Sequence, residues 1–152
     1  ELLSLKLDAL QHDGPREDAS VTPVRPGVWL IWGNSGSGKT SFALQLCKYL
    51  CRFVRVAYDS MEEGACRTMQ DAIRRTGMMD VNKKFLLIDN ENMDDLSIRL
   101  RRQKSPDIAV IDSFQYTRTT YRQYIDFKER HKRKLLIFIS NAEGQLPNGR
   151  AA

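Results

Sequence analysis

The sequence lacks any apolar run near the roughly 18 residues that cross a membrane as a helix. Its amino end also has none of the basic, apolar, small-residue order of a secretory signal. A soluble, cytoplasmic protein without a membrane partner is expected. Cysteine is scarce: three thiols cannot all pair, which argues against a disulfide framework. Cys47 and Cys51 stand four residues apart, on one face of a helix, and read as reduced and buried. With no CxxC pair and only His12 and His131 as imidazoles, a zinc-type centre has no ligand set. Internal repeats and low-complexity tracts are absent too. What remains is ordinary for a packed chain: 41% hydrophobic and 28% charged residues exclude global disorder, and 152 residues suit a single domain. The chain starts at Glu1 rather than Met and stops at "NGRAA", as a fragment or processed chain would.

Five short apolar runs punctuate the chain: Val28 to Trp32, Val54 to Tyr58, Phe85 to Ile88, Ile108 to Ile111 and Leu135 to Ile139. They read as strands. Helical patterns separate them, over Lys39 to Leu50, about Ala65 to Arg75, about Met93 to Gln103 and about Thr120 to Lys132. Strands that are apolar throughout suit a sheet covered on both sides. The expected fold is α/β, a doubly wound and mainly parallel sheet with helices on both faces. Residues 1–23, with Leu2, Leu3, Leu5, Leu7 and Leu10 ahead of Gly14 and Pro15, form a lead-in segment; residues 24–152 form the core. The lead-in either packs on its own core or docks on a neighbouring subunit.

Between the first strand and first helix stands "GNSGSGKTS", with Gly33, Gly38, Lys39 and Thr40 in the spacing GxxxxGK[ST]. Such a loop lets the backbone amides of Gly33, Asn34, Ser35, Gly36, Ser37, Gly38 and the following Ser41 region wrap a phosphate, beside the positive end of a helix. Lys39 would reach the β and γ phosphates, and the Thr40 hydroxyl would hold Mg²⁺. The alternative, a simple glycine-rich turn, explains the glycines but not the strand before and helix after. Asp112, which closes "PDIAVID" after four apolar residues, would emerge at the carboxyl edge of the same sheet as the second metal-side group.

The loop alone is shared by transport ATPases, small-molecule kinases and nucleic-acid motors. Transport ATPases want a glutamate directly after the strand aspartate and an LSGGQ-like signature; here Ser113 follows Asp112 and the signature is missing. A nucleotide kinase wants a lid of clustered arginines, which Arg118 and Arg122 imitate only weakly. From about Gly27 onward the chain instead resembles the RecA-like P-loop ATPases, particularly the RadA recombination proteins and, more distantly, the DnaB replicative helicases. The resemblance is carried by "GNSGSGKTSFALQL", "VAYDSMEEG", "PDIAVIDSFQ" and "LLIFISNAEGQ". It implies ATP and Mg²⁺ as ligands and Glu62 as the residue that polarises the attacking water, with Glu63 as its possible substitute. The local alternative for "MEEG" is an acidic first turn answering a helix dipole. The resemblance also implies a γ-phosphate sensor at the end of the fifth strand, which falls on Asn141, where the family commonly has glutamine or histidine. The role of Glu143 stays open. The four-cysteine module, the protease-like domain and the lysine- and arginine-bearing motif of RadA proteins have no counterpart here, as in a compact or truncated relative. Rings or filaments of several copies are implied, and no arginine finger is assignable.

Net charge is +5 and the pI about 9.2, which favours a polyanionic partner. Arg99 to Lys104 and Lys128 to Lys134 are basic runs closing two helices, where cations also answer the dipole. The loops beyond Asp112 and Asn141, where the family meets DNA, hold Arg118, Arg122 and Arg150 for phosphates and Tyr116 and Tyr121 for stacking on unpaired bases, or for core packing. The expected activity is Mg²⁺-dependent ATP hydrolysis coupled to DNA recombination, repair or strand remodelling, with single-stranded DNA as partner. The alternatives are a nucleotide-gated assembly module and a small-molecule kinase.

Overall fold

A computed structural model describes residues 24–34, 38–143 and 146–147. The lead-in segment, Ser35, Gly36, Ser37 and Arg150 lie outside the described residues. Strands β1 (Gly27–Gly33), β2 (Val56–Ser60), β3 (Phe85–Asp89), β4 (Ile108–Asp112) and β5 (Leu135–Glu143) form a parallel sheet in the order β1-β5-β4-β2-β3. A two-residue strand, β6 (Leu146–Pro147), runs antiparallel to β5. Helices α1 (Lys39–Leu50), α2 (Arg67–Arg75), α3 (Met93–Arg101) and α4 (Tyr121–Arg130) supply the crossovers. None of the described helices is long and apolar enough to span a membrane.

Strand order and crossover hand together dictate the layers. The first two crossovers advance across the sheet and the last two return, so right-handed connections place the two pairs of helices on opposite faces. Alternation along each strand then splits the core in two. Val56, Tyr58, Val110 and Ile137 pack with Leu44, Cys47 and Met69 from α1 and α2. Ala57, Ile111, Leu136 and Phe138 pack with Leu96, Leu100 and Phe127 from α3 and α4. Cys47 and Cys51 are buried free thiols, as their spacing implies, whereas Cys66 is exposed. Coverage on both faces fails at the edge: Val28 and Leu30 of β1 stay 37% and 38% exposed, because the return crossovers end at β5 and no described helix lies over β1 on that side.

The second strand lies two residues further on than its apolar run suggests. Val54 precedes it, and Asp59 and Ser60 belong to it although both are polar, because β3 and β4 flank them in register. Asp59 is fully buried toward the α3 layer. One of its oxygens accepts the Glu91 N–H at 3.0 Å, and the other has no hydrogen-bond partner among the described residues. Burial raises its pKa from 3.8 to about 7, against the opposing Glu91 N–H.

Two outcomes follow for stability. Phe138 is 2% exposed and meets the rings of Phe114 and Tyr124 at 4.9 and 5.5 Å. Phe138→Ala should therefore cost about 3–5 kcal/mol in denaturant unfolding. The folded protein holds the Asp59 proton between about pH 4 and about pH 7 while the unfolded chain has lost it. Asp59's contribution to stability is thus full below the lower value and falls as pH rises through the upper one. Asp59→Asn should flatten that part of the stability–pH curve. At alkaline pH it should stabilise the fold by about 1–3 kcal/mol, the scale of a buried unpaired polar group.

Candidate nucleotide site

The carboxyl ends of β1, β5, β4 and β2 meet at one edge. Register sets Gly33 beside Asn141, Ile139 beside Asp112, and Asp112 beside Ser60. The chain leaves β1 at Gly33 and enters α1 through Gly38, whose φ of +86° is a left-handed conformation costly for any residue with a Cβ. Gly38 carries no capping side chain, and α1, like α2 and α4 but unlike α3, has no acidic residue in its first turn. The positive end of α1 is thus left without an anion of its own.

Lys39 is 6% exposed, and its Nζ donates to the carbonyls of Gly33 and Asn34 at 3.0 and 2.8 Å. It ties the start of α1 to the end of β1. Burial lowers its pKa, with Glu62 and Asp112 pulling the other way. Next to it the Thr40 Oγ1 donates to Asp112 Oδ2 at 3.1 Å, joining the loop helix to β4. Ser41 follows, half-buried in the first turn of α1, and Asn34 is exposed at the loop's start.

Asp112 is 4% exposed, and burial raises its pKa. Hydroxyls surround it: Tyr58 donates to Oδ2 in a short hydrogen bond, and Ser113 Oγ reaches Oδ1 at 3.4 Å. A buried carboxylate whose hydrogen-bond partners are all neutral oxygens is a donor set suited to a hard cation such as Mg²⁺, which takes one or two protein oxygens and completes its shell with water and phosphate. The oxygens of Thr40 and Asp112 lie together there, a chemistry that suits that role. The Asp112–Ser113 peptide is cis.

Glu62 is exposed and carried over the site by two backbone bonds, from Met61 N–H and Glu62 N–H to the Asp112 carbonyl at 2.6 and 3.1 Å. Ser113 Oγ donates to its Oε2 at 3.1 Å. The far end of the same loop is pinned by Asp89, whose Oδ1 accepts the Ala65 N–H at 2.9 Å. Gly64 allows this through a φ of +62°, and a Cβ there would stand 2.5 Å from the same oxygen. Glu63 lies beside Asp112 and Glu62, and its pKa is raised by burial first and by those two carboxylates next. Asn141 meets Gly33 through the sheet, and its N–H is taken by Gln115 Oε1 at 3.3 Å.

Lys39, Thr40, Asp112 and Glu62 therefore converge, and Asn141 borders them. Sequence reasoning missed Tyr58, Asp89 and the hydrogen-bonding part of Ser113. Tyr58 sits one alternation before the strand end, on the α1 face, which was the signal available. Tyr116 and Tyr121 are 51% and 60% exposed, so core packing does not explain them; Tyr124 is the ring that packs inward, against Phe114 and Phe138.

No known family signature matches the chain. Over 93 residues, 60% of its length, it is 34% identical to the DNA repair protein RadA of Streptococcus pneumoniae, and as identical over the same length to that of Streptococcus pyogenes. The matched part spans only 21% and 20% of those proteins. Among solved structures, the flagellar accessory protein FlaH from Methanocaldococcus jannaschii superposes with a TM-score of 0.56 at 17% identity, covering 83% of this chain and 66% of that one. A second solved structure, of an isolated ATPase domain, gives 0.55 at 17% identity, covering 84% and 61%. The fold is that of the RecA-like P-loop ATPases, and within it the chain bears a weak sequence likeness to RadA.

Proposed function

We propose that the chain binds ATP with Mg²⁺ at this edge and hydrolyses it, as a cytoplasmic assembly of several copies that couples turnover to DNA recombination, repair or strand remodelling. The observation that carries the reading is the Thr40–Asp112 hydrogen bond at 3.1 Å, which joins the loop helix to the aspartate strand beside a buried Lys39. Amides from Asn34 to Gly38 and the dipole of α1 receive the phosphates. Lys39 exchanges the Gly33 and Asn34 carbonyls for phosphate oxygens and spreads the charge that develops at the γ position. Thr40 and Asp112 would hold Mg²⁺, which would supply further neutralisation of that charge. Glu62 orients the attacking water: Ser113 occupies its Oε2, which aims the carboxylate and leaves Oε1 to accept from the water. Glu63, beside Asp112 and Glu62, is the neighbour that could take its place. Asn141, next to Gly33, registers the γ-phosphate and passes its state through Gln115 to the segment holding Tyr116, Arg118, Tyr121 and Arg122, which contacts single-stranded DNA.

Steady-state ATP hydrolysis, measured with and without single-stranded DNA across a range of protein concentrations, tests the reading. The rate should rise with DNA, and the rise should grow with concentration, as for sites completed between copies. Lys39→Ala should abolish nucleotide binding. Glu62→Gln should keep binding and lower kcat by about 10²–10⁴-fold, the range of a lost acid–base group. If Glu62→Gln hydrolyses normally while Lys39→Ala does not bind, the chain is a nucleotide-gated module. Phosphate transfer that needs a small-molecule acceptor makes it a kinase.

A further inference from the structure

Cations outnumber acids at one edge of the sheet, where Asp80, Asp107 and Glu129 are interspersed among them. At the amino edge Gly27, Val56, Phe85, Ile108 and Leu135 lie in register, and each strand is preceded within four residues by a cation: Arg25, Arg55, Lys84, Lys104 and Lys134. All four helices end at this edge, each with a basic last turn, from Lys48 of α1 to Arg130 of α4. The acids Asp59, Glu62, Glu63, Asp89, Glu91 and Asp112 gather at the opposite, carboxyl edge.

Helix dipoles account for cations in the last turns, and some of the others serve the fold. Lys48 pairs with Asp80 at 3.4 Å, and Lys134 Nζ donates to Ser105 Oγ and the Pro106 carbonyl. The exposed Arg52, Lys83, Lys84, Arg102, Lys132 and Arg133 lie beyond the helix ends and form no ion pair with another described residue. Among them stands an aromatic pair. Tyr49 and Phe53 are 48% and 38% exposed and meet edge to face at 5.5 Å, with the Arg52 guanidinium 5.8 and 5.9 Å from the two rings. Unpaired cations call for a polyanion, and exposed rings beside them call for flat apolar faces. Single-stranded nucleic acid offers both; a duplex hides its base faces.

We propose that the amino edge is a docking surface for single-stranded nucleic acid, centred on Tyr49, Arg52 and Phe53 and extended by Lys83 and Lys84, separate from the nucleotide site and from the loops beyond β4 and β5. It holds whether or not the ATPase reading does. The strand's phosphates meet the loop cations and its bases stack on the rings.

The test is fluorescence anisotropy of the full chain with labelled oligothymidylate, titrated with salt in the absence of nucleotide. Arg52→Gln, Lys83→Gln and Lys84→Gln combined should make the slope of log K against log salt shallower by about 2, at roughly 0.7 per phosphate contact on a single strand. Tyr49→Ala, at an exposed position, should weaken binding about fivefold or more at fixed salt. ATP hydrolysis without DNA should be unchanged in both, so that failure of one reading is visible without the other. Unchanged slope and affinity, with binding lost instead in Arg118→Gln/Arg122→Gln, would overturn the proposal. So would equal affinity for a duplex of the same length, or binding to phosphatidylserine vesicles with none to oligothymidylate.

Discussion

Asp112 is a carboxylate taken almost wholly out of water, and a lone buried carboxylate is among the most costly groups a fold can hold. The sheet edge is arranged around that cost. Tyr58 from β2 and Thr40 from α1 each donate a hydroxyl to it, Ser113 beyond β4 shares its single O–H between it and Glu62, and its carbonyl anchors the amides of Met61 and Glu62. Hydroxyls stabilise the charge without cancelling it. A buried lysine partner would have consumed it in an ion pair; Lys39 points to backbone carbonyls instead. Negative charge therefore stays available beside a helix end whose positive charge also stays available. Those two uncompensated features, on the same sheet edge, make it receptive to a metal–phosphate pair.

The same interaction explains how Glu62 can be exposed and still have a defined place. Its loop is held at one end by Asp112 and at the other by Asp89, with Gly64 turning the chain between them. The side chain then needs only one further bond, from Ser113, to fix its direction. Removing Asp89 would free half of the loop's anchorage and leave the Lys39 and Thr40 contacts in place.

Much of this is legible in the sequence because apolar runs, glycines and the GxxxxGK[ST] spacing are local signals. Strand order, strand neighbours and hydroxyl partners are not local. The apolar run sets the second strand two residues early because Asp59 and Ser60 look like the polar end of a strand, while the flanking strands keep them buried. Tyr58 reads as an ordinary core aromatic, and only the parallel register between β2 and β4 brings its hydroxyl to Asp112. Asp89 ends its own apolar run as Asp112 does, yet no spacing rule links it to Ala65, 24 residues before it. Uniformly apolar strands imply cover on both faces, and β1 escapes because its position at the sheet edge is a property of topology.

Parallel topology also bears on the charge pattern. When every crossover helix runs antiparallel to its strands, all helix amino ends point to the carboxyl edge and all carboxyl ends to the amino edge. The summed dipoles favour acids at the first and bases at the second. Segregation of sign is thus partly a consequence of the fold, and α3, with Asp94 and Asp95 at its start and Arg99 and Arg101 at its end, follows the rule fully. The departures carry the information. At α1, as at α2 and α4, the expected acids are missing from the first turn, and Lys83 and Lys84 stand well past the end of α2, more than a turn from Arg75. Dipole compensation accounts for neither, since its effect fades within a turn of the helix end. What the dipoles leave over is the unanswered start of α1 beside Lys39 on one side, and on the other a set of loop cations around two exposed rings. A compact phosphate group matches the first shape and an extended strand of phosphates and bases matches the second.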